Sequence, residues 1–142
     1  MAYDTSGNVL FRQKGKASEV SFSPKQAQQL RGSLLTHNHP DGSSLSPNDL
    51  HMMLLHRIQE VRACNTEGAF VARLTETAKP PPSLEEFRNR YFDLLKKHGL
   101  KARKASIVQG ISFRDALRKA DDDALRELCA GHGINYSWEA RP

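Results

Sequence analysis

The spacing of hydrophobic and polar positions changes several times along the chain, and each change predicts an element. Ala2-Tyr3 and Val9-Leu10-Phe11 flank Thr5-Ser6-Gly7-Asn8, a turn-type cluster, and read as a hairpin. Residues 16–22, KASEVSF, alternate polar and apolar side chains with the period of a third strand. Ser23-Pro24 is a helix start, a capping hydroxyl before a residue whose φ is already helical, and Gly32 ends the short helix it opens. Residues 33–37, SLLTH, form an apolar strand that runs into polar chemistry. Ser46-Pro47-Asn48-Asp49 repeats the helix start, with an acid three residues after the cap, and Leu50, Met53, Leu54, Ile58 and Val61 follow at helical spacing. Residues 60–64, EVRAC, and 69–74, AFVARL, read as two more strands around Thr66-Glu67-Gly68.

Beyond Lys79-Pro80-Pro81-Pro82, a stretch that forbids helix, the period becomes helical. Ser83 to Glu86 is a capping box, Leu84, Phe87, Tyr91, Leu94 and Leu95 form one stripe, and Gly99 is the expected end. Ser112 caps a further helical stretch to about Ala130, with Asp121 to Asp123 as a candidate break. Gly131 and Gly133 stop it, and residues 134–138, INYSW, are a candidate last strand. The pattern predicts an α/β fold, a mixed β-sheet flanked by helices. It divides the chain into a domain over 1–78, a Pro-rich linker over 79–82 and a helical C-terminal extension over 83–142.

Composition narrows this picture. A chain of 142 residues with 38% apolar positions supports one core of modest size. No run of 18 apolar residues occurs, so neither a membrane span nor a membrane partner is expected. The start, MAYDTSGNVLF, lacks a basic n-region followed by a long apolar stretch, which points to the cytoplasm or an assembly built there. Cys64 and Cys129 stand far apart and outside any CxxC pair, so two reduced thiols are expected. A net charge of +5 permits contact with nucleic acid without demanding it. KHGLKARK, residues 97–104, is the dense basic run, read as a solvated connector first and as a patch for nucleic acid or an acidic partner second.

The chemistry lies in residues 36–49, THNHPDGSSLSPND. Strand residues two apart share a face, so His37 and His39 can offer two imidazoles to one point. Pro40-Asp41-Gly42 reverses the chain, and a short loop can bring Asp49, in the first turn of the next helix, beside the strand end. Two histidines and a carboxylate with a fourth position open suit a catalytic zinc. Ser-Pro-Asn-Asp alone would be an ordinary cap and His-Asn-His alone a weak metal signal. Their order, strand then turn then helix, carries the reading. His51, His56, His98 and His132 are not expected to join the site, and Tyr136 and Trp138 are expected to hold the tail on the core.

HNHPDGSSLSPND resembles the HxHP…SxxD signature of the JAB/MPN (JAMM) superfamily, which includes deubiquitinase-like peptidases and RadC-type bacterial proteins. The order hairpin, strand, short helix, apolar strand, HNHP is similar to RadC-type domains. THNHPDGSSLSPND followed by EVRA, and the ending ALRELCAGHGINYSWE, are similar to JAB-like domains of phage Mu F-type head morphogenesis proteins. The likeness covers residues 2–75 well and the C-terminal part more weakly. It implies the cytidine-deaminase-like sheet of JAB domains, zinc (Zn2+) held by His37, His39 and Asp49, and Ser46 steadying the oxyanion of a tetrahedral intermediate.

Two departures bear on activity. Six residues separate His39 from Ser46, one fewer than the pattern usually has. The position of the peptidases' general-base glutamate falls near Arg12 to Lys14, where no acid stands, which leaves Glu19 as the candidate base. The expected function is a zinc-dependent hydrolase, a JAMM-type metallopeptidase, cleaving a peptide or isopeptide bond in a protein or peptide substrate. Phage head components are its implied partners, and the location is cytoplasmic or virion-associated. The alternatives are a degenerate JAB-like assembly or DNA-contacting module, and a metal-dependent nuclease or toxin domain.

Overall fold

Serine hydroxyls start every helix found among the described residues. In the computed structural model these residues are 1–13 and 22–142. Ser23, Ser46, Ser83 and Ser112 each accept a hydrogen bond from the backbone N–H three residues on, and in the first three the side chain of that later residue bonds back to the serine N–H. The helices so begun are α1 (Pro24–Gln29), α2 (Pro47–His56), α3 (Leu84–Gln109) and α4 (Phe113–Ala130). The strands are β1 (Ala2–Tyr3), β2 (Val9–Phe11), β3 (Leu34–Asn38), β4 (Glu60–Cys64), β5 (Gly68–Leu74) and β6 (Ile134–Ala140). The third strand expected at 16–22 falls almost wholly outside the described residues.

The six strands form one mixed sheet in the order β2-β1-β3-β4-β5-β6. β3 and β4 are parallel, joined through α2, and the other neighbours are antiparallel. The α/β class with a mixed sheet flanked by helices is thus as expected. One core runs through it. Leu35 and Val61 from the sheet meet Leu50, Met53 and Leu54 of α2, Phe87 and Leu94 of α3, and Leu125 and Leu128 of α4. On the sheet's other face Glu60, Arg62, Arg73 and Glu139 form a network of ion pairs.

Several local readings gave way to tertiary context. Val61 fits both the helical period and the strand read at 60–64, and because Arg57 adopts a left-handed conformation at φ 56° and ends α2, it belongs to β4 as the strand reading has it. α3 passes through Gly99 and stops at Gly110, whose φ of 66° suits glycine. A mid-helix glycine costs only about 1 kcal/mol, and the residues after it, KARKA, are good helix formers. Asp121 to Asp123 do not break α4, because each acid has a partner. Asp121 accepts from Ser44 and Tyr91, Asp122 from Arg126, and Asp123 from Lys119.

The stretch beyond residue 83, read from its period as a helical extension, also supplies β6. That strand pairs with β5 from Gly68↔Ala140 to Leu74↔Ile134. Gly68 is what the close pairing requires, since a Cβ there would stand 2.2 Å from the Glu139 carbonyl oxygen. No helix is long and apolar enough to cross a membrane among the described residues.

Candidate metal centre

β3 carries His37 near its C-terminal end, and His39 follows one residue beyond the strand. The His39 N–H donates to the Cys64 carbonyl at 2.8 Å, which holds the chain in line with β4. Gly42, at φ 74°, then donates to the His39 carbonyl at 2.9 Å and closes the turn. Asp49 stands in the first turn of α2, where the cap at Ser46 fixes it.

These three side chains converge. Each of His37, His39 and Asp49 offers a ligand-type atom, and the three atoms lie within 4.8 Å of one another. The two imidazole centroids are 4.6 Å apart. His37 Nδ1 is 3.8 Å from Asp49 Oδ1, too far for a hydrogen bond and within reach of a shared ion. His37 Nε2 is buried with no hydrogen-bond partner. Burial lowers the His37 pKa, against the opposing pull of Asp49, which favours the neutral ring with a lone pair to give.

The remaining polar atoms are tied down around the site. Asp49 Oδ2 accepts from the Ser46 N–H at 2.8 Å and from the Ser46 hydroxyl at 2.7 Å, which leaves Oδ1 towards His37. The same hydroxyl oxygen accepts from the Asp49 N–H at 3.2 Å. Ser46 therefore has its only proton on Asp49, and an oxyanion role would require that proton to be redirected.

His39 is oriented by a second chain of contacts. Its Nδ1 lies 3.0 Å from the Ser43 carbonyl oxygen and 2.9 Å from Ser43 Oγ. Ser43 Oγ donates to Asp41 Oδ1 at 2.8 Å, and the Ser43 N–H donates to the same oxygen at 3.1 Å. The hydroxyl proton is thus committed, so both atoms facing Nδ1 are acceptors. Nδ1 must carry the ring proton, and Nε2 keeps the lone pair that a metal needs. The two Ser43 hydrogen bonds, with the nearby His39, hold the Asp41 carboxyl below its ordinary range.

Sequence reasoning did not find the Asp41–Ser43–His39 arrangement. Its one local signal was Asp-Gly-Ser after His-Pro, in which the acid bonds the backbone two residues on. Glu19 lies outside the described residues. The remaining histidines are occupied elsewhere. His51 faces the Pro82 carbonyl, His98 faces Glu127, His132 faces the Leu128 carbonyl, and His56 joins no metal-type cluster among the described residues. Tyr136 is buried in the core, while Trp138 lies over Phe70 and remains half-exposed.

The loop from Pro40 to Ser44 also forms one wall of an open cleft of about 940 Å³. Phe70 and Trp138 line another side, and Leu117 and Arg118 of α4 close it. None of His37, His39 and Asp49 lines this cleft, which meets the cluster only through the loop that joins them. No family model, no curated protein and no solved structure matches this chain.

Proposed function

We propose that the chain is a zinc-dependent hydrolase of the JAB/MPN kind that cleaves a peptide or isopeptide bond. The observation that carries the reading is the convergence of His37, His39 and Asp49, drawn from a strand end and a helix start, within 4.8 Å. The donor chemistry fits zinc, since two neutral imidazoles and one carboxylate leave a fourth position open. The strand, turn and helix order around them supports the resemblance to the HxHP…SxxD signature, with a loop one residue shorter than that pattern usually has. When bound, zinc supplies Lewis acidity, which polarises a carbonyl and brings the ionisation of water near neutral pH.

In this reading His37, His39 and Asp49 hold the metal, and Ser46 and Ser43 aim two of those ligands. The cleft beside Asp41 and Ser43 receives the peptide, with Phe70 and Trp138 as apolar contacts. Glu19, which lies outside the described residues, would be the candidate to take the proton of the attacking water. The setting is a phage or prophage head assembly, with head components as partners, in the cytoplasm or in the virion.

A second reading is favoured by one specific observation. Ser46 has its hydroxyl proton on Asp49, as a purely structural site would have it. The domain would then be an assembly module that keeps zinc for its fold.

Elemental analysis of the untagged chain, alongside His37→Ala/His39→Ala and Glu19→Gln, tests both readings. One zinc per wild-type chain, none in the double variant, and a chelator-sensitive cleavage of peptide substrates support the hydrolase. Glu19→Gln should then keep its zinc and lose about 10²- to 10⁴-fold in rate. Zinc without cleavage, with a large fall in melting temperature on its removal, identifies the structural module. A wild type that takes up no zinc even after zinc is added back overturns both.

A further inference from the structure

We propose that the apex of the α3–α4 hairpin docks on an anionic phospholipid surface. α3 is 26 residues long, roughly 39 Å at 1.5 Å per residue, yet it buries only Phe87 and Leu94 fully. Its C-terminal half therefore runs out beyond the core with α4 beside it. The turn at this outer end is apolar and uncovered. Ile107 is 77% exposed, Val108 83% and Phe113 66%, and Ile111 lies between them. Exposed apolar side chains gathered this closely along the chain, between residues 107 and 113, suit a contact surface.

Charge gathers behind that apex. Residues 96–119 contain eight Lys or Arg and one acid, Asp115, which makes +7 in a chain whose total is +5. The rest of the chain thus carries −2. All eight cations are exposed. Lys97 pairs with Glu127 and Lys119 with Asp123, and the other six form no ion pair among the described residues.

The two features together select the partner. A second copy is disfavoured, because +7 would face +7. A nucleic acid would satisfy the cations but offers no hydrocarbon to Ile107, Val108 and Ile111. An anionic bilayer satisfies both, and the spacing agrees. Lys104 precedes Ile107 by three residues and Lys101 precedes Val108 by seven, which sets the cations roughly 4.5 to 10.5 Å behind the apex. Apolar faces at membrane surfaces sink about 5–10 Å below the headgroups, which would leave these cations at the phosphates. Surface docking of this kind needs no membrane-spanning helix, and none is long and apolar enough among the described residues, although the sequence alone pointed to no membrane partner. It is also independent of the metal centre.

Co-sedimentation of the full chain with phospholipid vesicles tests this. Vesicles of phosphatidylcholine containing about one third phosphatidylglycerol should pellet the protein at low salt, and pure phosphatidylcholine should not. Val108→Asp/Phe113→Asp should abolish pelleting, and Lys101→Gln/Arg103→Gln/Lys104→Gln should weaken it about a hundredfold. All these positions are exposed, so the melting curves should match the wild type, and Ile107→Ser/Val108→Ser serves as a milder variant should the aspartates disturb folding. Failure to pellet, or pelleting that survives loss of the apolar apex, overturns the proposal. So does tight, steeply salt-dependent binding to duplex DNA that the apex variants leave untouched, which would assign the cations to nucleic acid.

Discussion

At His39 one ring nitrogen faces two acceptors, and this decides which nitrogen is left for a metal. Ser43 supplies both acceptors, and Asp41 keeps the Ser43 hydroxyl proton turned away from the ring. Partners of this kind typically change metal affinity 10- to 100-fold when removed. Ser43→Ala should therefore weaken zinc binding by about that factor, read by competition with a chromophoric chelator, and Asp41→Asn by a similar amount. Because Ser43 is exposed, the melting temperature of the metal-free protein should hardly move. Ser46→Ala should behave differently, since it removes a helix cap as well as the hydrogen bonds to Asp49, and should cost about 1 kcal/mol even without metal. Zinc affinity unchanged in Ser43→Ala would mean that the ring needs no such orientation.

At the scale of elements, the α3–α4 hairpin is held together by polar contacts at two heights. Tyr91 of α3 donates to Asp121 of α4, which also binds Ser44 of the metal-site loop. Further out, Lys97 and His98 both contact Glu127. Those two partners hold the Glu127 carboxyl down to about 2, against an ordinary value of 4.5. A carboxylate depressed on folding stabilises the folded state above its unfolded pKa, and the contribution is lost as pH falls towards the folded one. The melting temperature should accordingly drop between about pH 4.5 and pH 2 in part through Glu127. Glu127→Gln should flatten that part of the acid limb while lowering stability slightly at neutral pH. The effect is small because the Glu127 side chain is partly exposed and its pairs are screened. An acid limb identical in the variant and the wild type would show that the contact is not maintained in solution.

For the whole molecule the question is whether residues 1–82 can fold without the rest. The pattern of periods divides the chain at the Pro-rich stretch, yet β6 returns to pair with β5 along the sheet edge. Phe87, Leu94, Leu125 and Leu128 fill the same core as Leu50 and Met53. A fragment of residues 1–82 would lose these side chains and uncover the apolar groups of α2, each fully buried large side chain being worth about 1.5–3 kcal/mol. It should show no cooperative thermal transition by circular dichroism and no dispersed amide spectrum. A cooperative transition in the fragment would instead establish two independent units.

Much of this protein follows from rules that act over a few residues. A serine three positions before a bonding side chain makes a cap wherever it occurs, so the starts of α1, α2, α3 and α4 were all legible. EVRAC and AFVARL on either side of Thr66-Glu67-Gly68 marked β4 and β5, and INYSW marked the beginning of β6. The convergence of His37, His39 and Asp49 was legible for the same reason. Its two histidines lie two apart at a strand end, and its acid sits in a helix start a short loop away. Other features depend on groups distant in sequence. Gly99 stays helical while α3 runs on beside α4, and Asp121 to Asp123 are tolerated because Ser44, Tyr91 and two cations meet them. The ring proton of His39 is set by a loop that only the turn at Gly42 folds back. The sequence alone thus determined the helix starts, most of the strands and the convergence of His37, His39 and Asp49, because those rest on local hydrogen bonding and periodicity. The tertiary structure decided where β6 pairs, which nitrogen of His39 is free and which apolar residues stay uncovered at the hairpin apex, because burial and pairing are properties of neighbours that the chain order does not name.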